Sequence, residues 1–144
     1  MDAYLDSAII VKLYVREATS PDAIRLVGSY AAPYWLTQWQ ALEVKNAIRL
    51  KAFRLEITVA EMNQSIAAFE QDIAAGRWER PDYAAAAVEQ KADELSSSHS
   101  AMLGCRTLDI IHVAAAVVIG AKEFVTFDRR QGAMAKQAGL TVRP

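Results

Sequence analysis

The 144-residue chain holds one cysteine and two histidines. That is too few for a disulfide framework or a His/Cys zinc site. The lone Cys105 fits a reducing cytosol and reads as a small buried hydrophobe. No apolar run approaches the roughly 20 residues that a membrane span needs. Met1-Asp2 is not the basic start of a signal peptide, so a cytoplasmic protein without a membrane partner is expected. Charge of one sign is also missing: the formal net charge is −1. Any nucleic-acid contact must therefore come from a local basic patch. Internal repeats and linker-like stretches are absent as well. What remains is 53% hydrophobic and 23% charged, the balance of one globular domain spanning 1–144.

The stretch that organises the chain runs from Arg106 to Ile119 and closes at Gly120. It is apolar on nearly every side, as suits a buried helix, and Gly120 occupies the place just past its end. Thr107 is the expected N-cap. Asp109 puts a carboxylate at the helix mouth, where the dipole favours the ionised form and a cation can be held.

Three further acids stand in comparable places. Asp6 follows the apolar Ala3-Tyr4-Leu5, and Asp128 follows Glu123-Phe124-Val125-Thr126-Phe127. Both read as acids at the carboxyl end of a buried strand, the edge where open parallel sheets bind ligands. Glu43 lies in a helix capped by Thr37 and running to about Phe53. Between these blocks the spacing predicts further elements. A helix follows Asp6, with Ile9, Ile10, Leu13 and Tyr14 inward. Another starts at Ser20-Pro21, with Ile24 and Val27 inward. A short strand lies within Tyr30–Leu36, weakened by Pro33. Thr58–Glu61 is a capping box opening a helix with a Met62, Ile66, Phe69, Ile73 stripe. A helix runs from Asp82 to Leu95, breaks fall at Ser96–Ser98 and Gly104, a helix spans Asp128 to Ala138, and a last strand lies at Leu140–Val142. Strands separated by helices imply parallel crossovers, and so a three-layer α/β/α sandwich around a central parallel sheet.

Four carboxylates gathered in one cleft repel one another. At an effective dielectric near 20, two unit charges about 4 Å apart cost roughly 4 kcal/mol. Such a cluster calls for protons, basic partners or a metal, and hard oxygen ligands suit Mg²⁺, with Mn²⁺ as the alternative. A divalent ion there can activate water and offset charge on a phosphate under in-line attack. Asp6 and Asp109 are the expected principal ligands, with Asp128 and Glu43 as further ligands or acting through water. Ser7 and Thr126 have two readings, as hydrogen-bond partners of ligand or water or, for Ser7, as a helix cap. His112 reads as a hydrogen-bonded core residue. Arg106 and Arg129 are the candidate phosphate contacts, with a salt bridge to the acids or plain solvation as the other reading. Trp78 reads as a packing residue before a base-stacking one.

Leu5-Asp6-Ser7-Ala8, Ala41-Leu42-Glu43-Val44, Arg106–Ala116 and Val125-Thr126-Phe127-Asp128-Arg129-Arg130 resemble the four acidic blocks of a PIN domain, in the family's order. The similarity is closer to VapC-type toxins of type II toxin–antitoxin pairs, whose usual ending Ala135–Leu140 also resembles. The resemblance extends over essentially the whole chain. It implies a Mg²⁺-dependent endoribonuclease with Asp6, Glu43, Asp109 and Asp128 as its catalytic and metal-binding acids. It also implies RNA as substrate, a cognate antitoxin and a homodimer. The competing reading is a non-catalytic or receiver-like metal-binding signalling domain. That reading expects paired acids after the first strand, where this chain has Asp6 alone.

Overall fold

A computed structural model describes residues 2–144. In chain order the elements are β1 (Ala3–Leu5), α1 (Ser7–Tyr14), α2 (Ser20–Val27), β2 (Tyr34–Trp35), α3 (Gln38–Phe53), α4 (Val59–Ala74), β3 (Trp78–Glu79), α5 (Ala85–Leu95), a π-helical turn (Ser96–Ser100), α6 (Ala101–Leu103), α7 (Thr107–Val118), β4 (Glu123–Val125), α8 (Arg129–Gln137) and β5 (Thr141–Arg143). The chain is mixed α/β and all its strand pairs are parallel, with helices packed on the sheet. The strands form two sheets, ordered β1-β4-β5 and β2-β3, so the strand expected within Tyr30–Leu36 pairs with Trp78-Glu79. Two compact units result: Ser7–Arg80, and Asp2–Asp6 together with Pro81–Pro144.

In the first unit α1 packs on α2, α3 and α4. Its helix starts follow local chemistry. Thr37 with Gln40, and Thr58 with Glu61, form reciprocal capping boxes, each satisfying two otherwise orphaned N–H groups. Ile9, Ile10, Val27, Val44, Ile48 and Phe69 are fully or almost fully buried. On α2 the inward residues are Ala23 and Val27; Ile24 is 56% exposed, against expectation, because α2 buries one narrow stripe and Ile24 lies off it. Trp78 is buried against Tyr34 and Phe69, and its Nε1–H donates to Tyr14 Oη at 2.8 Å. Packing is thus its role. Tyr14 Oη in turn donates to Asp72 Oδ2 at 2.6 Å. Burial, and then that carboxylate, push the Tyr14 phenol well above its ordinary value.

A charge ladder also holds the first unit. Lys12 and Lys51 both reach Glu17, at 2.6 and 2.5 Å, and Lys51 also meets Glu56 at 2.9 Å. Burial pushes the Glu17 carboxyl up, but hydrogen bonds and charge from the two lysines outweigh it, and the carboxyl lies below its usual 4.5. A depressed folded pKa gives stability that is present above the unfolded value and lost as pH falls through the folded one. Glu17→Gln should therefore cost about 1 kcal/mol at pH 7. The gap should close below pH 4.5, and thermal melts of both proteins at pH 7 and pH 3 check it. A gap of the same size at both pH values would remove the ladder as its cause.

In the second unit Tyr4, Phe124 and Val142 stand at matched register across β1, β4 and β5. Tyr4 and Phe124 stack at 5.5 Å, and Tyr4 Oη meets His112 Nδ1 at 2.8 Å. His112 is 1% exposed, a core residue as expected. α7 is buried from His112 to Ala116 and ends at Gly120, whose φ of +80° fits glycine. α8 packs on β4 and β5, with the glycine at 132 letting it approach: a Cβ there would sit 3.3 Å from Val142 Cγ1. α5 starts at Ala85, three residues after Asp82, with no side-chain cap. The Ser96–Ser98 break is bridged by the π turn, and only Gly104, at φ +65°, ends the helical run. Among the described residues no helix is long and apolar enough to cross a membrane.

Candidate functional site

Because β1 and β4 are parallel neighbours, whatever follows each emerges at the same sheet edge. Asp6 follows β1 and its N–H donates to Val125 O at 2.9 Å, extending the ladder by one residue. Thr126 follows β4, and its N–H donates to Arg143 O at 3.1 Å. These two backbone anchors bring the Thr126 hydroxyl to Asp6, where it donates to Oδ2 at 2.8 Å. Two residues on, the Asp128 N–H donates back to Thr126 Oγ1 at 2.9 Å. One hydroxyl thus ties the acid after β1 to the acid after β4.

Gln131 completes this arrangement. Its side-chain amide lies 3.1 Å from Thr126 Oγ1 and is 2% exposed. A hydroxyl has one proton, and the shorter, charged acceptor Asp6 takes it. The atom placed there is Gln131 Oε1, and a half-turn of the amide would bring its NH₂ to Oγ1 to donate the third bond.

Asp128 caps α8. Its Oδ1 accepts from the Arg130 N–H at 2.8 Å and the Gln131 N–H at 3.0 Å. Asp128 is thus the N-cap of α8, and its own N–H is taken by Thr126 Oγ1 and not by the Gln131 side chain. Asp6 is 7% exposed whereas Asp128 is exposed, so the pair runs from a buried carboxylate to an open one.

Asp109 lies in the first turn of α7, half-buried, and its Oδ2 accepts from the Arg106 N–H at 3.1 Å. Arg106, not Thr107, is the N-cap. An arginine side chain offers no acceptor, so the carboxylate three residues on satisfies the helix start from within. The second oxygens of Asp109 and Asp128 make no hydrogen bond among the described residues. Both acids act on Cys105. Burial pushes its thiol up, and the charges of Asp109 and Asp128 push it further, against Arg130. Cys105 is half-buried with its thiol donating to Arg130 O at 3.4 Å, so it is not the core hydrophobe expected. It reports that Asp109 and Asp128 share one neighbourhood.

Asp6, Asp109 and Asp128 all belong to the second unit, where Thr126 links Asp6 to Asp128 and Cys105 lies near Asp109 and Asp128. Glu43 belongs to the first unit, half-buried on α3. Ser7 opens α1 with its hydroxyl buried, and among the described residues its Oγ is the one buried side-chain polar atom without a hydrogen-bond partner, so it caps nothing. Arg106, Arg129 and Arg130 are exposed and form no ion pair among the described residues. Lys12 and Lys45, near the acidic blocks by sequence, are instead paired with Glu17 and Glu70.

The donor chemistry, carboxylate and hydroxyl oxygens with the thiol protonated, fits a hard divalent ion. Among the described residues no three His, Cys, Asp or Glu side chains are gathered as a metal-holding group. A full protein cage is not what Mg²⁺ requires, because it keeps several waters and takes one or two carboxylates. Sequence reasoning gave Gln131 no part in the site; its pairing with Thr126 depends on the turn after β4, which no local pattern announces. Compared with known proteins, the chain matches no protein-family model and no curated protein.

Proposed function

We propose that this chain is a PIN-like, Mg²⁺-dependent endoribonuclease, the toxin of a type II toxin–antitoxin pair, in a three-layer α/β/α sandwich. The observation that carries this reading is the Thr126 hydroxyl, which joins Asp6 and Asp128 at the carboxyl edge of two parallel strands. A purely structural turn after β4 needs the cap on α8 but not the link to a buried carboxylate after β1. The toxin role, the homodimer and the cognate antitoxin rest on the resemblance of the four acidic blocks alone.

Asp6 and Asp109 are the principal ligands in this reading, with Asp128 as a further one; a part for Glu43, which belongs to the first unit, rests on the resemblance alone. A divalent ion, when bound, supplies an activated nucleophile from water and offsets charge on the phosphodiester. The residues do the rest. Thr126 fixes the orientation of Asp6. Asp128, with one oxygen on the α8 backbone, keeps the other for an ion or for a proton from water. Exposed, unpaired Arg106 and Arg129 meet the phosphates flanking the cut.

The test is cleavage of a labelled RNA by protein purified free of any antitoxin, with Mg²⁺, with Mn²⁺ and with excess EDTA. Cleavage is expected in the first two and not in the third. Equal cleavage in EDTA would sink the metal mechanism. No cleavage under any condition would favour the non-catalytic reading.

A further inference from the structure

The second unit has a cleft of about 430 Å³ that adjoins the acidic site, sharing Thr126 and Asp128 with it and running on along α8. Its walls include Phe127, Asp128, Arg129, Lys136 and Val142. Arg129 and Lys136 stand two turns apart on α8, about 10 Å along its axis at 1.5 Å per residue. Both are exposed and neither forms an ion pair among the described residues. Phe127, expected inside the strand, is 38% exposed because β4 ends at Val125 and the chain turns out to cap α8. The surrounding sequence, 124–144, carries Arg129, Arg130, Lys136 and Arg143 against the single acid Asp128. In a chain of net charge −1 this segment is locally basic, and it brings Arg129 and Lys136 to the cleft, as nucleic-acid binding would need.

An exposed aromatic ring lining the same cleft as two cations without ion pairs among the described residues matches the chemistry of single-stranded nucleic acid. Bases stack on aromatic faces whatever their sequence, and the backbone follows positive side chains. We propose that this cleft holds a nucleotide of single-stranded RNA next to the cleavage site, its base stacked on Phe127 and its flanking phosphates on Arg129 and Lys136. The inference rests on the nuclease reading and names where the substrate lies: along α8, leading away from Asp128. An acidic segment of a protein partner has less use for the ring, since carboxylates need only the cations.

The experiment measures binding of a fluorescein-labelled, mixed-sequence RNA decamer by anisotropy in EDTA, so that affinity is read apart from cleavage. Phe127→Ala should weaken binding about tenfold, from the loss of one stacked base. Phe127→Trp should restore it. Lys136→Gln should weaken binding and reduce the salt slope by about 0.7, the share of one phosphate contact on a single strand. These positions are exposed, and the melting temperature of each variant is the check that it folds. Parental affinity and slope in both Phe127→Ala and Lys136→Gln would overturn the proposal while leaving the nuclease reading intact if cleavage persists. A parent that neither binds nor cleaves RNA would overturn both. A protein partner lost from Lys136→Gln while RNA affinity stays at the parental value would overturn it in favour of protein docking.

Discussion

Asp6→Asn should lower RNA cleavage by at least about a hundredfold, the upper range for losing a group that merely supports a metal ligand. The metal-free fold should keep its stability to within about 1 kcal/mol. Asp6 is buried, and its Oδ2 accepts the Thr126 hydroxyl at 2.8 Å. An asparagine carbonyl can accept the same bond, in a neutral version worth about 1 kcal/mol less than the charge-assisted one. Against that loss stands relief from holding a charge out of water near other acids. The two terms are similar and oppose each other. Metal separates the variant from the parent. At a hundredfold excess over Kd, Mn²⁺ should stabilise the parent by about 2.7 kcal/mol and the variant by less at the same concentration. Thermal melts of both proteins, with EDTA and with Mn²⁺, give the answer. A variant clearly less stable in EDTA, with an unchanged Mn²⁺ shift, would make Asp6 a structural acid.

What the sequence disclosed and what it withheld divide by distance along the chain. The Thr37 and Thr58 boxes close within three residues, so the residue types alone announce them. Gly120 after α7 and the strand before Asp6 are local in the same sense. The bond from Thr126 to Asp6 spans 120 positions and exists only because β1 and β4 are neighbours. Nothing in Val125-Thr126-Phe127-Asp128 says which residue of the chain that hydroxyl will meet. The pairing of β2 with β3 is non-local too, and a two-residue strand has no periodicity to read. Errors of facing have a different origin. Ile24 reads as inward by hydrophobicity, yet α2 is short and its buried stripe is held by Ala23 and Val27. Cys105 reads as buried by residue type, while its position between Gly104 and the start of α7 leaves it half-exposed. The acids themselves were legible as strand-end and helix-start residues. Their division, three in one unit and Glu43 in the other, was not.

The Thr126 hydroxyl is the part of the site whose removal should cost most stability. Thr126→Val keeps the shape and deletes three polar contacts at once: with Asp6 Oδ2, with the Asp128 N–H and with the Gln131 side-chain amide. Asp6, Thr126 and Gln131 are all buried, so water cannot readily replace what is lost. Each buried polar group left unsatisfied costs about 1–3 kcal/mol. The Asp128 N–H is partly open and recovers some of its share. A total of about 2–4 kcal/mol follows, which for a domain of this size is a fall in Tm of roughly 4–16 °C. Thr126→Ser is the control. It keeps the hydroxyl and loses one methyl, about 0.8 kcal/mol. Activity should follow the hydroxyl as well. Thr126 acts as a positioning residue, orienting Asp6 and holding the turn that carries Asp128, so the valine variant should lose about 10- to 100-fold in cleavage and the serine variant little. The Mn²⁺ stabilisation of the valine variant should shrink in step, a readout that a purely structural threonine would leave untouched. Should valine and serine melt at the same temperature and cleave alike, the hydroxyl would not be the link between the two acids, and the site would have to be rebuilt around Asp109.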